Sequence, residues 1–94
     1  MSEIKDNSII SRHNDIVFNM LDDEIVMMSI KNAEYYGLDS IGSRIWEIIE
    51  KPVSFKQLLN ILVTEYDVNE EQCKTDVTVF LIALEKKNII KIDS

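Results

Sequence analysis

The sequence predicts an α+β fold in which a three-stranded antiparallel sheet is followed by three helices. Two observations lead to this prediction. Apolar residues alternate with a period of two in short segments up to about residue 38, and after it they recur at helical spacing. The chain has 94 residues, of which 46% are hydrophobic, so it can form one modest core with little room for a second. We therefore expect residues 1–94 to form a single domain.

The strands are predicted from alternation that is interrupted by turns. Asp22-Asp23 and residues 31–33 separate three segments, of which the last, residues 34–38, is rich in aromatic residues. A tight turn at the second break favours a left-handed residue, for which Ala33 is poorly suited. Either Asn32 carries this conformation or the loop is longer. The alternating residues are Ile16, Phe18 and Met20 in the first segment, and Val26, Met28 and Ile30 in the second.

The helices are predicted from capping residues and apolar stripes. Asp39 or Ser40 can cap the first helix, which Pro52 ends, and Ser54 can cap a second helix that continues to about residue 66. The third helix begins near Asn69 and runs to a stop near residue 88. Residues 89–92 are apolar, and either form a closing strand or pack on the core as a tail. This order of elements is close to a winged helix-turn-helix domain with its strands placed first.

Composition excludes several classes of function. The net charge of −7 would repel a nucleic-acid backbone, and it would favour approach of a basic peptide, although acidic surfaces also serve solubility. The polar N-terminus is unlike a signal peptide, and no apolar run reaches the roughly 20 residues of a membrane span. The single cysteine cannot form an intramolecular disulfide. We expect a cytoplasmic protein that binds neither membrane nor nucleic acid.

No catalytic or metal-binding set of residues is predicted. His13 is the only histidine and lies far in sequence from Cys73, so a Cys/His nucleophilic pair is not supported. The spacing of these residues does not fit a metal site either, and Cys73 falls on the apolar stripe of the third helix, where a small buried residue is common. We expect a protein without enzymatic activity, metal or other cofactor.

Residues 37–41 offer one alternative. Their sequence, Gly-Leu-Asp-Ser-Ile, matches the motif in which a serine of acyl or peptidyl carrier proteins takes a phosphopantetheine arm, which would fall on Ser40. In carrier proteins the motif follows a long helix and a loop, whereas here it follows residues that alternate like strands. The simpler interpretation is that Asp39-Ser40 caps the first helix.

The third helix and the last strand predict a peptide-binding groove. The apolar arc of the helix spans about 200°, which is wider than packing on one face requires. The strand at residues 34–38 would be an edge strand, to which an extended peptide can add. Either the domain covers the whole helix with its own sheet and helices, or one flank of the helix lines a groove beside this strand. The core face consists of Cys73, Val77, Phe80, Leu81 and Leu84, and the flank of Asp76, Val79 and Ala83.

Several segments resemble the PqqD-like family. The family's strand-to-helix signature is similar to residues 36–47, Tyr-Gly-Leu-Asp-Ser-Ile-Gly-Ser-Arg-Ile-Trp-Glu. Its second helix is similar to residues 58–62 followed by residues 66–68, and its third helix to Asp76-Val77, Phe80-Leu81 and Leu84. The apolar ending that follows is similar to residues 88–90. The resemblance covers about residues 16–92. The cysteine three residues before Asp76 and the free-standing length resemble the small recognition proteins of lasso-peptide clusters.

The resemblance implies a recognition domain that binds the leader segment of a ribosomally made precursor peptide. It also implies a separate leader peptidase, which is a cysteine protease, and a cyclase as partners. Asn88 and Ala33 stand where many members have glycine, so the local geometry there is expected to differ. By position, the resemblance assigns peptide binding to Glu34, Tyr35 and Tyr36 of the strand, and to Asp76, Val79, Phe80 and Ala83 of the helix.

Overall fold

The computed structural model of the protein describes residues 4–22, 24–31 and 33–93. Within these residues the three helices and the three-stranded antiparallel meander are found as predicted, and a second small sheet accompanies them. The elements are β1 (Ile9–Arg12), β2 (Ile16–Leu21), β3 (Glu24–Ser29), β4 (Glu34–Leu38), α1 (Ser40–Ile48), β5 (Val53–Ser54), α2 (Phe55–Tyr66), α3 (Glu70–Lys86) and β6 (Ile90–Asp93).

The meander has the strand order β2-β3-β4, and its two faces differ. Ile25 and Met27 of β3 are buried, and the residues opposite them on β4 are Leu38 and Tyr36. The alternating set predicted in β3, Val26, Met28 and Ile30, is the one that points away from the core. Residues 25–28 of β3 are all apolar, so both faces of the strand carry apolar side chains and alternation alone does not identify the buried face.

Two turn residues of the meander adopt positive φ. Asp22 lies between β2 and β3 with φ of 58°, and Ala33 precedes β4 with φ of 54°. The Ala33 N–H donates to the Ser29 carbonyl oxygen at 2.7 Å, which closes the second turn. Ala33 therefore takes the left-handed conformation itself, against the expectation from its side chain, while Asn32 lies outside the described residues. An alanine in this conformation costs about 1 kcal/mol or more.

The second sheet has the order β5-β1-β6 and brings both ends of the described chain together. β1 pairs with β6 from Ile9↔Asp93 to Arg12↔Ile90, so residues 90–93 form the closing strand rather than a packed tail. The sequence did not predict β1 or β5 as strands. Arg12 of β1 links this sheet to the meander and to α1. Its guanidinium lies 5.0 Å from the ring centroid of Phe18 in β2 and 4.4 Å from that of Trp46 in α1. It also donates to the Trp46 carbonyl oxygen. Burial lowers the pKa of this guanidinium.

Each helix begins at a side-chain cap. Asp39 accepts the Gly42 N–H at 2.8 Å, Ser54 forms a capping box with Gln57, and Asn69 accepts the Gln72 N–H at 3.1 Å. α3 ends at Lys86 with Lys87 as its C-cap, and the next residue, the predicted stop Asn88, is left-handed with φ of 60°. None of the helices in the described part of the chain is long and apolar enough to cross a bilayer.

Candidate functional site

β4 is an edge strand, since among residues 4–22, 24–31 and 33–93 it pairs with β3 alone. The Ile30 N–H, just after β3, donates to the carbonyl oxygen of Asp15, just before β2. Since backbone groups alternate in direction along a strand, the even-numbered residues of β3 direct their N–H and C=O groups toward β2. Odd-numbered residues of β3 therefore face β4, where they are opposite Glu34, Tyr36 and Leu38. By the same alternation, the N–H and C=O groups of Tyr35 and Gly37 point out of the sheet. This edge can accept an additional strand.

Ser43 fixes the end of this edge. Its hydroxyl accepts the Ile25 N–H at 2.8 Å and donates to the Leu38 carbonyl oxygen at 3.2 Å, and its side chain is buried. The first turns of α1 are thereby tied to the point where the β3–β4 ladder ends. Sequence reasoning did not single out Ser43, although a serine beside the apolar stripe of a helix is a signal for a buried hydrogen bond.

α3 lies beside β4 and the start of α1. Near its C-terminal end, the Lys87 Nζ lies 5.2 Å from the centroid of the half-buried Tyr36 ring. At its middle, Phe80 packs on Gly42, where a Cβ atom would meet the Phe80 ring at 3.1 Å. The two contacts place α3 along β4 and the start of α1, and a groove lies beside the Phe80–Gly42 contact.

The groove contains a cavity of about 240 Å³ at the junction of α1 and α3. Two carboxylates line it, Asp76 and Asp39. Asp76 accepts a hydrogen bond from Gln72 Nε2 at 3.0 Å, and Asp39 caps α1. Since the other lining residues are apolar or glycine, the cavity suits an apolar group with a nearby hydrogen-bond donor or cation. The full lining is Asp39, Ile41, Gly42, Ile45, Asp76, Val77 and Phe80.

The predicted site residues fall into three places. Asp76 and Phe80 line this cavity, and Val79 and Ala83 are exposed on the same flank of α3, with Val79 66% exposed. Phe80 is half-buried, so it contributes to both core and groove. The strand residues divide between the two sheet faces: Tyr36 lies on the α3 side, as does Glu34 at the exposed strand end, whereas Tyr35 is 75% exposed on the other face.

The start of α1 was missing from the predicted site. Ile41 and Gly42 line the cavity because Asp39 starts the helix there and Phe80 packs against the glycine. A glycine inside a helical pattern is the sequence signal that would have pointed to this close approach. Other chemistry finds no support in the described residues: no group of three or more His, Cys, Asp or Glu side chains could hold a metal. Burial raises the pKa of the Cys73 thiol, and Asp76 adds to this effect.

Comparisons with known proteins agree with the resemblance. A search of curated proteins finds no match. Among solved structures, one described as "TbiB1 in Complex with the TbiA(beta) Leader Peptide" is 30% identical, with a TM-score of 0.81 over 86% of this chain and 94% of that one. Another, "Lasso peptide synthetase B1 complexed with the leader peptide", is 17% identical, with a TM-score of 0.77 over 87% and 96%, and shows the shared fold.

The carrier-protein alternative is not supported by these findings. Ser40 is the first residue of α1. Between it and the last residue of β4 lies only the N-cap Asp39, whereas a carrier motif follows a helix and a loop.

The family model described as "Coenzyme PQQ synthesis protein D (PqqD)" matches residues 24–90, which is more than half of the chain and spans β3 to the start of β6. The chain therefore belongs to the PqqD family.

Proposed function

We propose that this protein is a non-catalytic adaptor that binds the leader segment of a ribosomally synthesised precursor peptide during lasso-peptide maturation. The observation that carries the proposal is the free edge of β4 beside the groove of α3. The 30% identical relative supports it, since that protein is described in complex with a leader peptide. The same site has hydrogen-bonding groups for an extended backbone and apolar surface for its side chains.

The leader adds to β4 as a fourth, antiparallel strand. Its backbone pairs with the outward groups of Tyr35 and Gly37, and its side chains alternate between the two faces of the enlarged sheet. Those on the inner side meet Tyr36 and the exposed flank of α3, where Val79, Phe80 and Ala83 supply apolar contact. Asp76 at the far end pairs with a lysine or arginine of the leader.

Binding tethers the precursor and brings it to a separate processing enzyme. We assign this role to a leader peptidase of the cysteine protease class, and a cyclase acts on the same precursor. Tethering raises the concentration of the leader near the enzyme without chemistry on the adaptor.

The outer face of the meander is the surface that we propose for contact with the peptidase. It carries Val17, Leu21 and Tyr35, which are 47%, 58% and 75% exposed, together with half-buried Val26 and Met28. A contiguous exposed apolar face of this kind is typical of protein interfaces. Tyr35 belongs both to this face and to the edge that receives the leader, so peptidase and leader would meet at adjoining surfaces.

The strand-addition step is tested by Gly37→Pro with Gly37→Ala as its matched control. Proline removes the outward N–H but no hydrogen bond within the sheet, and edge strands tolerate it at such positions. Alanine keeps the N–H, and its Cβ would meet open space. An unpaired leader carbonyl costs about 1–3 kcal/mol, so Gly37→Pro should weaken binding by roughly 5- to 150-fold.

The measurement is fluorescence anisotropy with a labelled synthetic leader of the precursor encoded beside this gene. Gly37→Ala should bind within about twofold of the wild type. Far-ultraviolet circular dichroism and urea unfolding establish that the proline variant remains folded. A folded Gly37→Pro variant with wild-type affinity would show that the leader does not pair with β4.

Delivery is tested by Val17→Asp. Val17 lies on the outer face, away from the α3 groove, so leader affinity should be unchanged while a charge enters the proposed enzyme interface. We expect cleavage of the precursor by the peptidase, followed by mass spectrometry, to slow at least fivefold. Unchanged cleavage would place the enzyme contact elsewhere.

A further inference from the structure

A second apolar cavity lies next to the groove, enclosed by the start of α1, the end of α2 and the start of α3. Its volume is about 340 Å³, larger than that of the groove cavity. Most of its lining is apolar, and three polar residues complete it. The full lining is Ile41, Leu62, Tyr66, Val68, Asn69, Gln72, Cys73, Asp76 and Val77. Of the residues that line it, the predicted binding residues include Asp76 alone.

The mouth of the cavity exposes large apolar side chains that the domain does not cover. Ile41, Tyr66 and Val68 are 46%, 38% and 42% exposed. Asp67 ends α2 in a left-handed conformation with φ of 50°, and the chain then turns so that Val68 lines the opening. Such a concave apolar site with an exposed rim is suited to a ligand side chain.

The cavity adjoins the proposed leader groove. Both are lined by Ile41, Asp76 and Val77, so these three residues form the boundary that the two cavities share. A peptide paired with β4 that continues past Leu38 crosses the start of α1, where Gly42 and Phe80 form the groove wall, and then reaches the second cavity. The shared lining places both cavities within reach of one peptide.

We propose that this cavity binds one large apolar side chain of the leader, aliphatic or aromatic, from the segment that precedes its strand-paired residues. The proposal rests on the function proposed above. The polarity follows from the antiparallel pairing proposed above: such a strand places the N-terminal side of the peptide at the C-terminal end of β4. The cavity is therefore an anchor on the N-terminal side of the paired segment, and Asp76 at its rim accepts a hydrogen bond from a leader donor.

The test compares Val68→Asp with two controls. Val68→Asp places a charge in the mouth, where Val68 is partly exposed and tolerates the change, and Val68→Ile keeps the lining apolar. Ile9→Asp introduces the same charge at a residue of similar exposure, 38%, in the second sheet. Affinity for the labelled leader is expected to fall about 10- to 100-fold in Val68→Asp, since burial of one large apolar side chain supplies a factor of this size. Both controls should stay within about twofold.

An alanine scan of the leader then identifies the anchor residue. Replacing one apolar leader residue on the N-terminal side of the paired segment by alanine should lower the affinity of the leader for the wild-type protein. The same replacement should have little further effect on the affinity for the Val68→Asp variant. Alkylation of Cys73 by iodoacetamide is a second readout, because the leader should slow it while a leader lacking that N-terminal segment should not.

The outcomes separate this inference from the function on which it rests. Wild-type affinity in Val68→Asp, or an equal loss in Ile9→Asp, would overturn the cavity assignment while Gly37→Pro still reports strand addition. Absence of leader binding to the wild type would reject the function and the inference together. An alanine scan that couples Val68 to a residue on the C-terminal side of the paired segment would overturn the stated polarity.

Discussion

Ser43→Ala is expected to be among the most destabilising single-atom deletions in the domain. The Ser43 side chain is 2% exposed, and its hydroxyl oxygen both accepts the Ile25 N–H and donates to the Leu38 carbonyl oxygen. Alanine fills nearly the same space but satisfies neither backbone group. Each buried group left without a partner costs about 1–3 kcal/mol, so the loss of both partners should cost about 2–6 kcal/mol.

This loss is large relative to the whole stability. A domain of this length is stable by roughly 5–14 kcal/mol. With an m-value near 1 kcal/mol/M, the urea midpoint should fall by roughly 2 M or more. The matched control is Ser40→Ala, since Ser40 is exposed at the first residue of the same helix while the side chain of Asp39 provides the cap. We expect Ser40→Ala to change stability by less than about 0.5 kcal/mol.

Urea unfolding followed by circular dichroism and tryptophan fluorescence provides the assay. Trp46 is buried and lies three residues along α1 from Ser43, so its emission reports on the same region. A Ser43→Ala variant within 0.5 kcal/mol of the wild type would refute the idea that this hydroxyl holds the end of the β3–β4 ladder. Equal losses in both serine variants would indicate an effect on helix propensity instead.

Three further predictions concern turns, the groove and the thiol. Ala33→Gly should raise the free energy of unfolding by about 1 kcal/mol, because φ of 54° strains alanine. Asn88→Gly should have little effect on it, since asparagine tolerates φ of 60°. Thermal unfolding of the two variants tests this difference. Tyr36→Phe should raise the free energy of unfolding by about 1 kcal/mol, as measured with urea, because the buried Tyr36 hydroxyl has no hydrogen-bond partner among the described residues. The variant keeps the ring near Lys87. A lower stability would show that the hydroxyl has a hydrogen-bond partner. Because burial raises the pKa of Cys73, its alkylation near pH 8 should be slower in the folded than in the urea-unfolded protein; equal rates would contradict this.

The sequence predicted the elements whose period is clear and missed those held by distant partners. The meander and the three helices follow from alternation, caps and apolar stripes. β1 and β5 contain four and two residues, and they form strands because β1 pairs with β6 at the other end of the chain as well as with β5. Such pairing leaves little periodic signal in segments this short.

The candidate groove was predictable in outline and not in detail. The arc of α3 and the edge of β4 suffice to place a groove between them. The contribution of α1 depends on the contact of Phe80 with Gly42 and on the Ser43 hydrogen bonds, which join residues distant in sequence. The face of each β4 residue depends on register, which is why Tyr35 and Tyr36, adjacent in sequence, point to opposite sides.

The size of the β4 edge indicates how affinity and selectivity divide within the site. Tyr35 and Gly37 each offer one donor and one acceptor, and four hydrogen bonds at about 1 kcal/mol each give about 4 kcal/mol. Ordering the backbone of a peptide segment as long as the five-residue β4 costs about 5–10 kcal/mol. Backbone pairing alone therefore does not bind, and burial of leader side chains must supply the remainder. It follows that Gly37→Pro should weaken all leaders by a similar factor, whereas Val68→Asp should weaken them according to their anchor residue. Affinities of two leaders that differ only in that residue would test this division, and a leader-dependent effect of Gly37→Pro would contradict it.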